Sequence, residues 1–423
     1  MQLHRTIVRS ARTLTVATGL LAAACSSEGG AQTKEETKQS AAALSTATAT
    51  IHMPVPPNWI GAQLGIPAPT LTPIGHVNVV PMAPDWRPMD SVYNPTKTDP
   101  PSSTDSQLVR LASDGTIYQL NLTGEHMQHI GAYFKDHGLN GSSQPGQSAN
   151  VPKGFPNGQD DRTYWPYNPS GDFPRTPIGT IGSINNCSAT MFSSRLVITA
   201  QHCWWNGTNT FTWPSQFRPG VDRNYTPFAG VGVQAVWWDS AWYTNGCGAA
   251  GAPNNLCNTW DWAIFELNSP IPGAGYMGFA YGTVPQLQSW LLLTAGYPAC
   301  NDVGSPSGCV YPSNYRSNGR TGMQVGPFFN PFNGCNGGVC ENNWDRSFWS
   351  GYSISPGDSG SPWFSWSPGS NGPYVVGVVG GETCDGPPNV NGGCQVGNTT
   401  PNISLALDPV LFNRMSTLKS SMP

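Results

Sequence analysis

The residues with the clearest chemical potential stand in one ten-residue stretch, Ser355 to Phe364, reading S-P-G-D-S-G-S-P-W-F. Ser359 is flanked by Gly357 and Gly360, with Asp358 just before it and Ser361-Pro362 after. Glycine accepts backbone angles and close approaches that a side chain resists. A turn built this way can expose the Ser359 hydroxyl and aim the N–H groups of Gly357 and Ser359 into the same small space. Those are two parts of an acyl-transfer site, a nucleophile and an oxyanion hole. A serine hydroxyl is a weak nucleophile alone, so a base is required. Of seven histidines, six (His4, His52, His76, His126, His129 and His137) fall in the first third of the chain. Downstream there is only His202, in L-V-I-T-A-Q-H-C from Leu196 to Cys203, just past an apolar strand-like run. Asp261, in T-W-D-W-A-I-F-E-L, is an acid among aromatic and aliphatic neighbours. Burying such a carboxylate is costly unless it is hydrogen-bonded, and an imidazole N–H is a suitable donor.

Together, T-A-Q-H-C, D-W-A-I-F and G-D-S-G-S-P resemble the three catalytic blocks of the chymotrypsin-like (trypsin-fold) serine proteases, whose chain order is His, Asp, Ser. The resemblance implies that Ser359 attacks a carbonyl and His202 shuttles the proton. It implies that Asp261 fixes the tautomer and stabilises the imidazolium, and that the N–H groups of Gly357 and Ser359 bind the oxyanion. Rival constellations fail on order. An α/β-hydrolase needs G-x-S-x-G and a histidine after the serine, but position 361 is Ser and no histidine follows Ser359. The zinc-protease signature H-E-x-x-H is absent from the sequence. No metal and no cofactor is expected.

These residues need a scaffold. Charged residues make up only 10% of the chain, while Gly (49) and Pro (40) are abundant, which favours a loop-rich all-β protein over helical bundles. Strand-like runs recur at 196–200, 231–238, 262–267, 290–295, 362–366 and 374–379, separated by Gly, Pro and Asn turns. Their spacing fits two small antiparallel barrels; the family implies six strands in each. Trp237, Trp238 and Trp242 read as core or wall residues. Asp408 with Pro409 behind it is an N-cap signature for a final amphipathic helix carrying Val410, Leu411, Met415 and Leu418. The net charge of −4, with no basic tract, gives no reason to expect a nucleic-acid partner.

The N-terminal third reads differently. Arg5, Arg9 and Arg12 precede an apolar, small-residue core from Thr13 to Ala24, the pattern of an export signal over residues 1–25. It ends L-L-A-A-A-C, which resembles a bacterial lipoprotein box with Cys25 as the lipidated residue; an ordinary signal cut near Ala24 is the alternative. An exported protein is therefore expected, extracellular or anchored at the outer membrane by a lipid on Cys25, and monomeric. Residues 26–50 have the composition of a tether, and the recurrent prolines from Met53 to Pro101 suit an extended segment with little regular structure. Ser106 to Leu120 alternates as a strand or hairpin with Asp114-Gly115 as its turn. Glu125 to His137 reads as a helix, with His126 and His129 on a solvated face rather than on a metal. The region 26–152 is either a propeptide that blocks the cleft or assists folding, or a spacer from the membrane.

The remaining domain, 153–423, opens with Gly158-Gln-Asp-Asp-Arg162, Tyr167, Pro174 and I-G-T-I-G, which resembles the bacterial glutamyl-endopeptidase-like branch of the fold. The resemblance places maturation near residues 150–160, and Asp358 leaves the activation mode open. Setting Cys25 aside, ten cysteines remain: Cys187, Cys203, Cys247, Cys257, Cys300, Cys309, Cys335, Cys340, Cys384 and Cys394. An even set in an exported chain suggests disulfides between sequential neighbours. The family carries a bridge across its histidine loop at the spacing of Cys187–Cys203; pairing among Cys300, Cys309, Cys335 and Cys340 stays open. By family spacing the specificity pocket has Ser353 at its base and Gly380, Gly381 and Glu382 along its wall. Ser353 offers no carboxylate for a basic side chain, and Val379 occupies the place of the histidine in the glutamate-specific branch. An uncharged side chain is expected, unless Glu382 receives a basic one from the rim. The function expected is a serine endopeptidase acting on protein or peptide; the alternative is a catalytically silent homologue that serves as an extracellular binding module.

Overall fold

The apolar runs beside His202 and Asp261 become neighbouring strands. Leu196–Thr199 pairs antiparallel with Ala263–Leu267, with Thr199 opposite Ala263, so the chain reaches both functional residues at the same end of the sheet. Both strands are buried along their whole length, which explains runs of apolar residues where a half-exposed strand would alternate. The computed structural model describes residues 51–52, 70–81, 107–121, 163–165, 167–169, 173–182, 187–204, 210–222, 225–244, 247, 259–282, 287, 290, 292–297, 324–325, 335–336, 339–340, 347–350, 357–366, 373–381 and 402–422, all within the unit Thr46–Pro423.

Among the described residues the first sheet has ten strands. Its order runs Ile51–His52, Thr70–His76, Thr116–Asn121, Leu108–Ala112, Val233–Asp239, Ala263–Leu267, Leu196–Thr199, Cys187–Met191, Ile178–Ile181 and Phe217–Pro219. Phe217 exchanges both backbone hydrogen bonds with Val231, at 2.9 Å each. The last strand therefore returns to the residues leading into Val233–Asp239, and six strands form a closed ring of hydrogen bonds. The ring closes at Val231 alone, and the rest of that edge, from Ala235 to Asp239, is paired with Leu108–Ala112. Trp204, Trp237, Trp238, Trp242 and Trp262 are buried with the aliphatic side chains in one core.

The second sheet, of eight strands among the described residues, has Tyr374–Gly381 and Pro362–Ser365 near its centre. Asn402–Ala406 and Ser347–Ser350 lie on one side and Leu293–Gly296, Gln324–Val325 and Thr163–Tyr164 on the other, while the eighth strand, Gly278–Phe279, pairs in parallel with Tyr374–Gly381. The fold is all-β with a C-terminal helix, as expected, and among the described residues the other helical pieces are short turns such as Ser240–Thr244. That final helix, Pro409–Ser421, starts where Asp408-Pro409 predicts, with the Asp408 carboxylate accepting from the Leu411 N–H at 2.6 Å. Such a cap is worth about 1 kcal/mol. Leu411, Phe412, Met415 and Leu418 join the core, and Phe412 packs on the rings of Phe279 and Tyr281. Arg414, also buried, forms an ion pair with Asp239 at the end of its strand and lies 5.7 Å from the Trp262 ring centre.

Residues 70–81 depart from the expectation of an irregular proline-rich segment. Thr70–His76 and Asn78–Pro81 are strands. Proline is tolerated because Pro73 stands at an irregularity, where the register with Thr116–Asn121 shifts between Pro73 and Gly75. The hairpin of Leu108–Ala112 and Thr116–Asn121 turns at Asp114-Gly115 as predicted. Gly115 has φ +90°, and a Cβ there would collide with Val77 O. The Thr116 N–H bonded to Asp114 holds its carboxyl below the usual range. The export signal, Cys25, the tether, the helix expected at 125–137, Cys257, Cys300, Cys309, Cys384, Cys394, Ser353 and Glu382 lie outside the described residues.

Candidate active site

Beyond Thr199 the chain makes a single 3-10 turn, Gln201–Cys203, which presents His202 back toward the start of the aspartate strand. Asp261 grips this residue twice. Its Oδ2 lies 2.7 Å from His202 Nδ1, and its Oδ1 accepts from the His202 backbone N–H at 2.9 Å. Both residues are nearly enclosed, at 3% exposure for Asp261 and 5% for His202. Charge-assisted bonds of this kind offset the cost of burying the carboxylate. A carboxylate can only accept, so the bond assigns the proton to Nδ1 and leaves the lone pair on Nε2. Cys203, the last residue of the turn, is disulfide-bonded to Cys187 on the adjoining strand, as the resemblance implied. Closing a loop of this size is worth about 3 kcal/mol in the chain-entropy account.

Ser359 arrives from the other sheet, on the turn before Pro362–Ser365. Gly357 and Gly360 adopt φ of +101° and +82°, so both glycines are required by the backbone. A Cβ at Gly360 would also collide with Ser188 O and Thr199 Oγ1. The turn is fastened to its own sheet by Gly360 N–H to Val379 O and Val379 N–H to Ser361 O, at 2.8 and 2.9 Å. Ser359 is half-buried, and its hydroxyl donates to Gly380 O at 3.3 Å. Cys203 Sγ lies 3.7 Å from Ser359 O; a disulfide sulfur has no proton to donate, so this is a packing contact. Among the described residues, neither the Gly357 N–H nor the Ser359 N–H has an acceptor.

The structure therefore pairs His202 with Asp261, sets the serine turn against the last residue of the histidine turn through Cys203 Sγ and Ser359 O, and turns the Ser359 hydroxyl to Gly380 O. Gly381 ends the same strand as Gly380. Asp358 is buried, with Oδ1 close to Gly296. Cys247 is also disulfide-bonded. Cys335 and Cys340 stand directly opposite each other across a two-stranded ladder. Cys187, His202 and Cys203 cluster closely enough to suggest a metal site, but the two sulfurs are bonded to each other and offer no thiolate.

No family model matches the chain, and no curated protein matches it. Among solved structures it is similar to a Glu endopeptidase in complex with MPD, at 16% identity and a TM-score of 0.42, covering 62% of this chain and 98% of that one. It is also similar to the protease Anisep from Arthrobacter nicotinovorans, at 16% identity and a TM-score of 0.37, covering 59% of this chain and 97% of that one.

One residue with a structural part in this site escaped the sequence. Ser188 joins the two sheets: its N–H donates to Ser359 O and its hydroxyl to Gly357 O, both at 2.8 Å, while its Oγ accepts from the Tyr297 N–H at 2.8 Å. Thr199 Oγ1 donates to Ser188 O. These bonds tie the serine turn to the strand preceding the histidine turn. The one clue in the sequence was adjacency to Cys187. Replacing Ser188 by alanine leaves a buried carbonyl and a buried N–H without their partner, a cost of about 1–3 kcal/mol. We expect a lower Tm; an unchanged Tm would show that the Ser188 bonds to Gly357 and Tyr297 contribute nothing to stability.

Proposed function

We propose that this protein is a serine endopeptidase that hydrolyses peptide bonds through an acyl-enzyme. The observation that carries the reading is the double grip of Asp261 on His202; a glycine-framed serine turn bonded to Ser188 of the strand that carries Cys187 supports it. In the proposed reaction Ser359 Oγ adds to the scissile carbonyl carbon as its proton passes to His202 Nε2. The N–H groups of Gly357 and Ser359 receive the oxyanion, where preorganised donors act most strongly. The His202 imidazolium, stabilised by Asp261, then protonates the departing amine as the C–N bond breaks. Water, deprotonated by His202, attacks the ester; the acid leaves and Ser359 regains its proton.

Gly380, whose carbonyl accepts from the Ser359 hydroxyl, supports the pocket wall drawn from the family spacing. With Ser353 at the base and Val379 on the wall, the substrate side chain is uncharged; a preference for basic residues would point instead to Glu382 at the rim. The Cys187–Cys203 disulfide supports a protein exported to an oxidising compartment, extracellular or held at the outer membrane through Cys25. The substrate is a protein or peptide, and the enzyme acts as a monomer.

A fluorophosphonate probe tests the assignment. Processed protein should take one label, lost in Ser359→Ala and suppressed in His202→Ala. Labelling should also fall below about pH 6–7, because the base must be neutral. Processed protein that takes no label would be a binding module built on a protease-like frame, and the catalytic reading would be wrong.

A further inference from the structure

We infer that the segment contributing Thr70–His76, Asn78–Pro81, Leu108–Ala112 and Thr116–Asn121 is a permanent strand donor to the mature protein, neither a leaving propeptide nor a spacer. Leu108–Ala112 adds to Val233–Asp239 over five consecutive positions, from Ala112 opposite Ala235 to Leu108 opposite Asp239. Gln107 continues the ladder by exchanging bonds with Ser240, O with N–H and N–H with Oγ, at 2.8 and 2.9 Å. Main-chain pairing of this kind supplies affinity, and alternating side chains supply register. Leu71, Leu108, Val109, Leu111 and Leu120 are buried in the same core as the strands around His202. The segment holds a second grip elsewhere, where Asn78–Pro81 pairs in parallel with Thr210–Trp213.

Charge gives the most discriminating observation. Glu266, on the strand that begins beside Asp261, is 4% exposed. Its carboxylate accepts from Gln234 Nε2 and from Trp237 Nε1, both neutral donors on the neighbouring strand. The cation that faces it is Arg110, contributed by the N-terminal hairpin, with Nε 3.3 Å from Oε2 and its guanidinium 5.7 Å from the Trp237 ring centre. If the hairpin left, a buried carboxylate would lose its counter-charge, which is strongly unfavourable, and a five-residue strand edge would open. A chain cut anywhere within residues 122–162 should therefore persist as two pieces in one particle.

The inference does not depend on the catalytic reading, and its test is read by elution, so the two can fail separately. A recognition sequence for a site-specific protease is inserted after Gly146 in the full chain, and the purified protein is cut and passed over a sizing column without denaturant. Both pieces should co-elute at the size of the uncut protein and part only in denaturant. An N-terminal piece that elutes alone, leaving a soluble C-terminal piece with unchanged thermal unfolding, would overturn the inference. Arg110→Ala in the cut protein should lower the urea concentration at which the pieces part, and adding Glu266→Gln should restore part of the loss. Equal urea midpoints for the parent and Arg110→Ala would also count against it.

Discussion

Ser359→Ala is expected to lower kcat for peptide hydrolysis by about 10⁶-fold, the loss seen when a member of such a triad is removed. The protein itself should be indifferent. Ser359 is half-buried and its hydroxyl makes one long bond, 3.3 Å to Gly380 O, while the turn is held by backbone bonds that alanine keeps. Tm should therefore stay within the small range of surface substitutions, about ±0.5 kcal/mol in stability. Substrate binding should persist, so the inactive variant should still compete for a peptide ligand. Steady-state kinetics and calorimetry on the same preparation decide the matter: retained turnover would mean another nucleophile, and joint loss of turnover and fold would leave the hydroxyl with a structural part only.

Asp261→Asn should cost about 10⁴-fold in kcat. The substitution keeps the size of the side chain and removes a single property. A carboxylate can accept from both the His202 ring and the His202 backbone N–H, as Asp261 does at 2.7 and 2.9 Å. An amide has one oxygen. If that oxygen keeps the backbone N–H, the NH₂ group faces Nδ1, which must then accept, and the ring proton moves to Nε2 where it blocks the base. Fluorophosphonate labelling should become slow without disappearing, because the Ser359 hydroxyl and the two turn N–H groups remain. A variant within tenfold of the parent would show that the carboxylate orients the turn without acting on the tautomer.

How far the chain could be read in advance depended on the range of the interactions. The contact between His202 and Asp261 was legible because each stands in a short run whose residue types suit one chemistry, and Ser359 stood out for the same reason. Asp408-Pro409 announced the last helix and Asp114-Gly115 the hairpin turn, since caps and tight turns are decided within four residues. Residues 70–81 were misread because proline was weighed as a breaker, while Pro73 falls where the ladder already shifts register. Ser188 could not have been found locally: the carbonyl it binds belongs to Gly357, 169 positions away. The same is true of Arg110 and Glu266, separated by 156, and of the apolar strand that turned out to need a cation.

Asp239 is met from both directions of the chain, by Leu108 opposite it in the ladder and by Arg414 on its carboxylate. A nascent polypeptide delivers Leu108 before Asp239 and Arg414 only after it. Until Arg414 arrives, the acid at the end of the Val233–Asp239 strand has no guanidinium and resists burial, and Trp262, next in sequence to Asp261, lacks the cation stacked on it. Assembly around this carboxylate in this way waits for Arg414, and a polypeptide terminated before that residue leaves both Asp239 and Trp262 without the cation they share.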